Sequence, residues 1–184
     1  MSKITRGGFH VYPFLAIGAT RHCLFPEAGS DVEFTIENFA FVDGHGRETL
    51  TWTRRFFLVR ERCFDEYLIY SEARKCLVLY AGTHQHIAVD LSVSVGEGGS
   101  LVFETGAQRL YEWKRGIPFP LLLSGKAHVC ESYDESIGRF QVDVDIRNRL
   151  VGHIFGYTGS FDLQEVECPT VPERALPKRT ELRE

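Results

Sequence analysis

The stretch HIAVDLSVSVGEGGSLVFETGAQRLYEW, His86–Trp113, decides the fold class. Within it Ile87, Val89, Leu91, Val93 and Val95 alternate with Ala88, Asp90, Ser92 and Ser94. A period of two puts successive side chains on opposite faces of a strand, here one apolar and one largely polar. Glu97–Gly99 supplies glycines for a tight reversal, and SLVFETGAQRLYEW returns as a second strand. The pair reads as an antiparallel hairpin.

The same period continues on both sides. Upstream, DVEFTIENFAFVD (Asp31–Asp43) alternates through Val32, Phe34 and Ile36, then changes phase near Asn38 so that Phe39 and Phe41 follow. That change of phase predicts a β-bulge. The turn DGHGRE leads into TLTWTRRFFLV, and FDEYLIYSE and KCLVLYAGTHQH flank a turn at Ala73 and Arg74. Downstream, KAHVCESYD and GRFQVDVDIRN flank Glu135–Ile137, and GHIFGYTGSFDLQEV follows. The expected fold is all-β, a single antiparallel meander of about nine strands. Because exposed sheet edges invite aggregation, it is expected to be closed or nearly closed into a barrel, lipocalin-like in outline.

A curved sheet around a C-terminal helix is the competing architecture. The last residues, CPTVPERALPKRTELRE, carry three prolines and a mixed charge run, which reads as a tail instead. The expected division is an N-terminal arm over 1–30 that packs on or caps the barrel, a barrel over 31–167, and a polar, proline-containing tail over 168–184. Between strands, WKRGIPFPLLLSGK (Trp113–Lys126) forms an apolar arm whose leucines fold onto the core or line a ligand entrance.

Composition narrows the function classes. Of 184 residues 43% are hydrophobic and 25% charged, the balance of an ordinary globular domain. A net charge of −4 gives no basic footprint, so nucleic acid is not an expected partner. The 14 Phe and 7 Tyr against one Met suit a pleated surface. Five cysteines without a CxxC pair argue against a disulfide framework and a zinc knuckle, and suit free thiols in a reducing compartment. No apolar stretch approaches the roughly 18 residues of a membrane span. The expected location is cytoplasmic, or at the inner face of a membrane.

The fragments FPEAG, FTIENF, GRETLTWTRRF, GTHQHIAVDLSVSV, GAQRLYEW, GIPFPLLLSG and GRFQVDVDIRNRLVGHIFGYTGSF together carry a resemblance. The chain resembles the bacterial domain of unknown function 4166 family, and in particular the soluble C-terminal domain of YndJ-like membrane proteins. The likeness runs from about Phe9 to Val166, and the Gly138–Phe161 stretch is its most specific motif. It implies a bacterial source and a link to a membrane protein. The family has no established activity, so no catalytic role is implied for any residue.

Three constellations could carry chemistry. His84, His86 and Asp90 fall on alternate positions of one strand face if the period of two extends back to His84, and imidazole with carboxylate suits a divalent metal. Against a metal, an inward apolar face would turn the histidines outward. Arg109, Tyr111 and Trp113 share one face, where a guanidinium beside two rings can recognise an anionic head group. Trp52, Arg54 and Phe56 raise the same question. Glu131, His153 and Tyr157 are the third set, polar tips expected on the same side as Phe155 and Phe161. No nucleophile elbow, P-loop or dinucleotide fingerprint is present. The expected function is a non-catalytic barrel that binds a small apolar or lipid-like ligand, without a cofactor. The alternatives are a regulatory or docking domain of a bacterial membrane protein, and a cupin-like metal-dependent enzyme using His84, His86 and Asp90.

Overall fold

The computed structural model describes residues 1–112, 115–119 and 125–184, with side chains left undescribed at 112–116 and 118–120. Its elements in chain order are β1 (Lys3–Arg6), α1 (Tyr12–Ala19), β2 (Gly29–Ser30), β3 (Phe34–Val42), β4 (Glu48–Phe56), β5 (Arg62–Ser71) and β6 (Cys76–Ala81). They continue with β7 (Ile87–Val95), β8 (Leu101–Glu112), β9 (Arg115–Phe119), β10 (Lys126–Asp134), β11 (Arg139–Asn148) and β12 (Gly152–Phe161). All pair antiparallel in one sheet, in the order β2-β1-β12-β11-β10-β8-β7-β6-β5-β4-β3, with β9 paired to β8 off this path. The all-β meander is therefore as expected, with more strands than the sequence suggested, because Lys3–Arg6 of the N-terminal arm is itself a ladder strand on β12.

Strand hydrogen bonds do not close the sheet. The two ends of the path are β2 and β3, consecutive pieces of chain separated by Asp31–Glu33. They are held near each other by other means. The Val32 amide donates to the Met1 carbonyl at 2.8 Å, and rings meet across the gap: Phe56 with Tyr157 at 5.3 Å and Phe34 with Phe161 at 6.3 Å. Phe25 from the arm packs edge-on against Phe155 at 4.8 Å. Phe25, Phe56 and Phe155 are fully buried, each worth about 1.5–3 kcal/mol.

The turns expected at Ala73 and Arg74, at Glu97–Gly99 and at Glu135–Ile137 fall between β5 and β6, β7 and β8, and β10 and β11. The expected bulge at Asn38 does not exist: β3 pairs β4 without a shift from Phe34–Phe56 to Val42–Glu48. Phe39 and Phe41 instead lie on the outer face, in register with Thr51 and Thr49. Those threonines are buried, Ala175 of the tail is buried, and Arg174 pairs with Glu37 at 2.7 Å. The strand carries apolar residues in both phases because both of its faces are covered. The register shifts lie elsewhere, between Val89 and Leu91 and between Ile146 and Arg147.

The tail is what covers the second face. Tyr67, Ile69, Val78, Tyr80, Ala88 and Tyr111 form a buried cluster on the outer side of β5–β8. Across it the Tyr80 hydroxyl donates to the Arg183 carbonyl at 2.9 Å, and the Lys178 amide donates to the Thr83 carbonyl at 2.7 Å. The Glu181 amide donates to Gln85 Oε1 at 2.7 Å, and the Arg183 guanidinium lies 4.6 Å over the Tyr111 ring. None of the described helices is long and apolar enough to cross a membrane.

Candidate functional site

On the inner face of the sheet, Leu79 of β6, Val89 of β7, Leu110 of β8, Ala127 of β10 and Ile146 of β11 surround a cavity of about 360 Å³. The arm forms its other wall through Phe14, Ile17, Cys23 and Leu24. Phe14, Ile17, Thr20 and Arg21 are exposed and mark the opening. The strand period explains the lining, because the odd-numbered residues of β7 turn their apolar side chains inward. Burial pushes the Cys23 thiol up to about 12, so it serves here as apolar wall.

One lining residue at the inner end, Glu66, is charged and anchors a polar group behind the wall. Arg54 Nη1 donates to Glu66 Oε2 at 2.6 Å, and both side chains are nearly buried. The guanidinium sits 5.3 Å from the Trp52 ring and 5.1 Å from that of Phe64. Burial opposes its charge, but Tyr157, Glu66 and Glu131 outweigh burial and hold it firmly protonated. Burial raises the Glu131 carboxyl, against Arg54, and pushes the Tyr157 hydroxyl up to about 12. Glu131 and Tyr157, both expected site residues, thus belong to this interior polar group.

A single glycine sets the opening. Gly82, at φ +75°, carries the chain from β6 into the turn Gly82–Gln85. A Cβ there would strike Cys23 Sγ and the Arg21 carbonyl oxygen. The turn is stitched to the arm by the Thr83 amide on the Arg21 carbonyl at 2.9 Å, and to β5 by the Gly82 amide on the Asp65 carbonyl at 2.8 Å. The His22 ring and Asp65 Oδ2 lie 2.6 Å apart beside it.

This turn also corrects the metal reading. β7 starts at Ile87, so His84 and His86 do not share a strand face with Asp90. Asp90 is held by Arg74 at 2.6 Å and by Arg109 at 2.8 Å. Burial works against the Asp90 charge, but those hydrogen bonds prevail and keep the carboxyl below its usual range. Among the described residues no three of His, Cys, Asp and Glu converge as a metal site. The histidines instead line the cavity opening.

The other expected groups separate. Arg109 donates through Nε to the Tyr111 hydroxyl at 3.1 Å, and Tyr111 is buried beneath the tail, away from the cavity. Trp113 and the leucines of the Trp113–Lys126 arm lie outside the described residues. The shift at Ile146/Arg147 turns His153 to the outer face, 2.9 Å from Asp145 and 3.0 Å from the Thr5 hydroxyl. It therefore does not join Glu131 and Tyr157. Arg54 was visible on the apolar period of TWTRRFF, but its partner Glu66 was not singled out. The available signal was an acid on the inward phase Phe64, Glu66, Leu68 of the neighbouring strand. Arg21 carried no signal of its own.

A wider groove of about 930 Å³ runs between β3, the end of β12 and the tail. Two ion pairs lie within it, Arg139 with Asp162 at 2.9 Å and Arg174 with Glu37 at 2.7 Å. The inner cavity is the better candidate.

Fold and cavity together define an all-β, single-sheet domain with an apolar pocket walled on one side by its N-terminal arm. The family model described as Domain of unknown function (DUF4166) matches residues 1–161, and the chain belongs to that family. The "Uncharacterized protein YndH" of Bacillus subtilis (strain 168) is 33% identical over 168 residues, covering 91% of this chain and 82% of that protein. No solved structure matches the chain.

Proposed function

We propose that this domain is a non-catalytic binding protein whose inner cavity takes a small apolar or lipid-like molecule. One observation carries the reading: about 360 Å³ of space lined mainly by aliphatic and aromatic side chains, opening past Phe14, Ile17 and Arg21. That volume lies within the roughly 300–1,000 Å³ of small-molecule sites. Scaled from the ~150 Å³ that admits benzene, it takes on the order of a dozen carbon atoms. On this reading the sheet wraps the ligand as a partial barrel and the arm covers it. The catalytic alternative has no comparable support, since Glu131 and Tyr157 are committed to Arg54 and His153 faces outward. A cytoplasmic location is part of the proposal, supported by five cysteines free of disulfides.

Native mass spectrometry of the protein isolated from its own host tests this. The expected spectrum contains the chain plus one organic ligand of lipid-like mass, removable by organic solvent. A bare chain that also fails to take up a neutral aliphatic probe such as 1-dodecanol would overturn it.

A further inference from the structure

The opening of the cavity carries cations, Arg21 in its lining and Lys178 near enough to act on His84. Arg21, His84 and His86 are all lining residues there. The two imidazoles stack in parallel, 5.6 Å between centroids and 9° between planes. Partial burial, and then the charges of Arg21, Lys178 and Arg179, hold His84 below the usual histidine range. At neutral pH it is thus an uncharged donor and acceptor among cations.

The nearby carboxylates are engaged elsewhere. Glu66 answers Arg54, the Asp65 carboxylate meets His22, and Glu181 is shared by Arg179 and Arg183. Among the described residues Arg21 and Lys178 form no ion pair, although Arg21 Nη1 lies against His86 Nε2. Arg21 and Lys178 thus act on the same opening with no carboxylate paired to either among the described residues, and an anion placed between them would answer both charges. An arginine fork and imidazole N–H groups are suited to a planar or tetrahedral oxyanion. The inner end offers no such place, because the charged residue that lines it is the carboxylate Glu66, already paired with Arg54.

We infer that the ligand is an anionic amphiphile, its alkyl chain in the cavity and a carboxylate or phosphate head held at the opening by Arg21, His84 and Lys178. This rests on the binding function proposed above and adds the ligand's charge and direction of entry. A free fatty acid and a phosphorylated lipid share the chemistry, and the test separates them.

The test is calorimetric titration with dodecanoate, dodecyl phosphate and 1-dodecanol, on the wild type, Arg21→Gln and the double variant Arg21→Gln/Lys178→Gln. Both side chains are exposed, so the variants are expected to melt with the wild type. Wild type is expected to bind one or both anions about tenfold or more tightly than the alcohol. Arg21→Gln is expected to lose about tenfold for the anion while 1-dodecanol changes less than about twofold. The anion bound more tightly identifies a fatty-acid or a phosphate head. Equal binding of alcohol and anions, or anion affinity unchanged in the double variant, would overturn the head-group assignment while the binding function stood. No binding of any of the three would overturn both.

Discussion

Replacing Arg54 by methionine removes half of the ion pair at the inner end of the cavity and strands Glu66. The side chains of the pair are only 8% and 12% exposed, so neither charge is well solvated in the folded chain. Breaking such a pair from one side costs about 3–5 kcal/mol, chiefly the burden of the uncompensated charge. Methionine keeps most of the stem's contact with Trp52 and Phe64, so little of the loss is packing. A domain of this size has about 5–15 kcal/mol of stability, so the variant still folds and the loss is measurable. Its pH dependence is diagnostic. Burial already raises Glu131, and Arg54 is the group opposing that rise. Without the cation that opposes burial, the folded-state pKa of Glu131 rises further above its unfolded one. The folded state then binds more protons, so stability is greatest at low pH and is lost as pH rises through the folded value. Urea unfolding should show the full penalty at pH 8 and a smaller one at pH 5. The double variant Arg54→Met/Glu66→Leu should recover about 2 kcal/mol or more at pH 8. A single-variant penalty below about 1 kcal/mol, equal at both pH values, would refute the buried pair.

Three further outcomes are expected. Gly82→Ala combines a positive φ with collisions at Cys23 and the Arg21 carbonyl, and should cost about 2 kcal/mol or more in urea unfolding. Deleting Pro177–Glu184 strips at least four hydrogen bonds to the sheet, among them those of the Lys178 and Glu181 amides, the Arg183 carbonyl and the Arg47 guanidinium to the Glu181 carbonyl. At about 1 kcal/mol each, with Tyr67, Tyr80 and Tyr111 uncovered, the deletion should lower the Tm sharply and induce binding of a hydrophobic dye. Glu131→Gln removes a carboxyl whose folded pKa is raised. Its stability relative to wild type should therefore improve from pH 5 to pH 8, read as a Tm difference.

How much was legible follows from where each side chain finds its contacts. The β7–β8 hairpin was readable because the Ile87–Val95 run has one apolar and one largely polar phase, and that contrast is local. β3 misled because the second phase, Phe39 and Phe41, lies on a face that the distant tail helps to cover, and strand period cannot announce a cover arriving from 130 residues away. His84 and His86 looked like strand positions because the alternation runs through them. The positive φ angles of Gly82 and Gln85 make that stretch a turn, and only the glycine was a visible sign. His153 was assigned inward by the alternation through Phe155 and Tyr157, but the extra residue Ile154 in β12, opposite the Ile146–Arg147 step, reverses its phase. The cavity itself depends on spacing between an arm and seven strands, which no local pattern encodes. The polar group behind its wall was half visible, as Arg54 on an apolar period, and became a pair only once β4 and β5 were in register. The tail was read as a polar appendage from its prolines, yet those residues run it across the outer sheet face and hold Glu181 buried there.

Methyl-resolved NMR during titration with 1-dodecanol and dodecanoate tests the inner cavity most directly as the binding place. The methyls of Leu79, Val89, Leu110, Ile146 and Ile154 line it, whereas Val42, Val59 and Leu163 are exposed elsewhere. The expected result is saturable shifts confined to the first set, reaching an end point at one ligand per chain. Shifts confined to the exposed set, or none at saturating ligand, would contradict the cavity as the site.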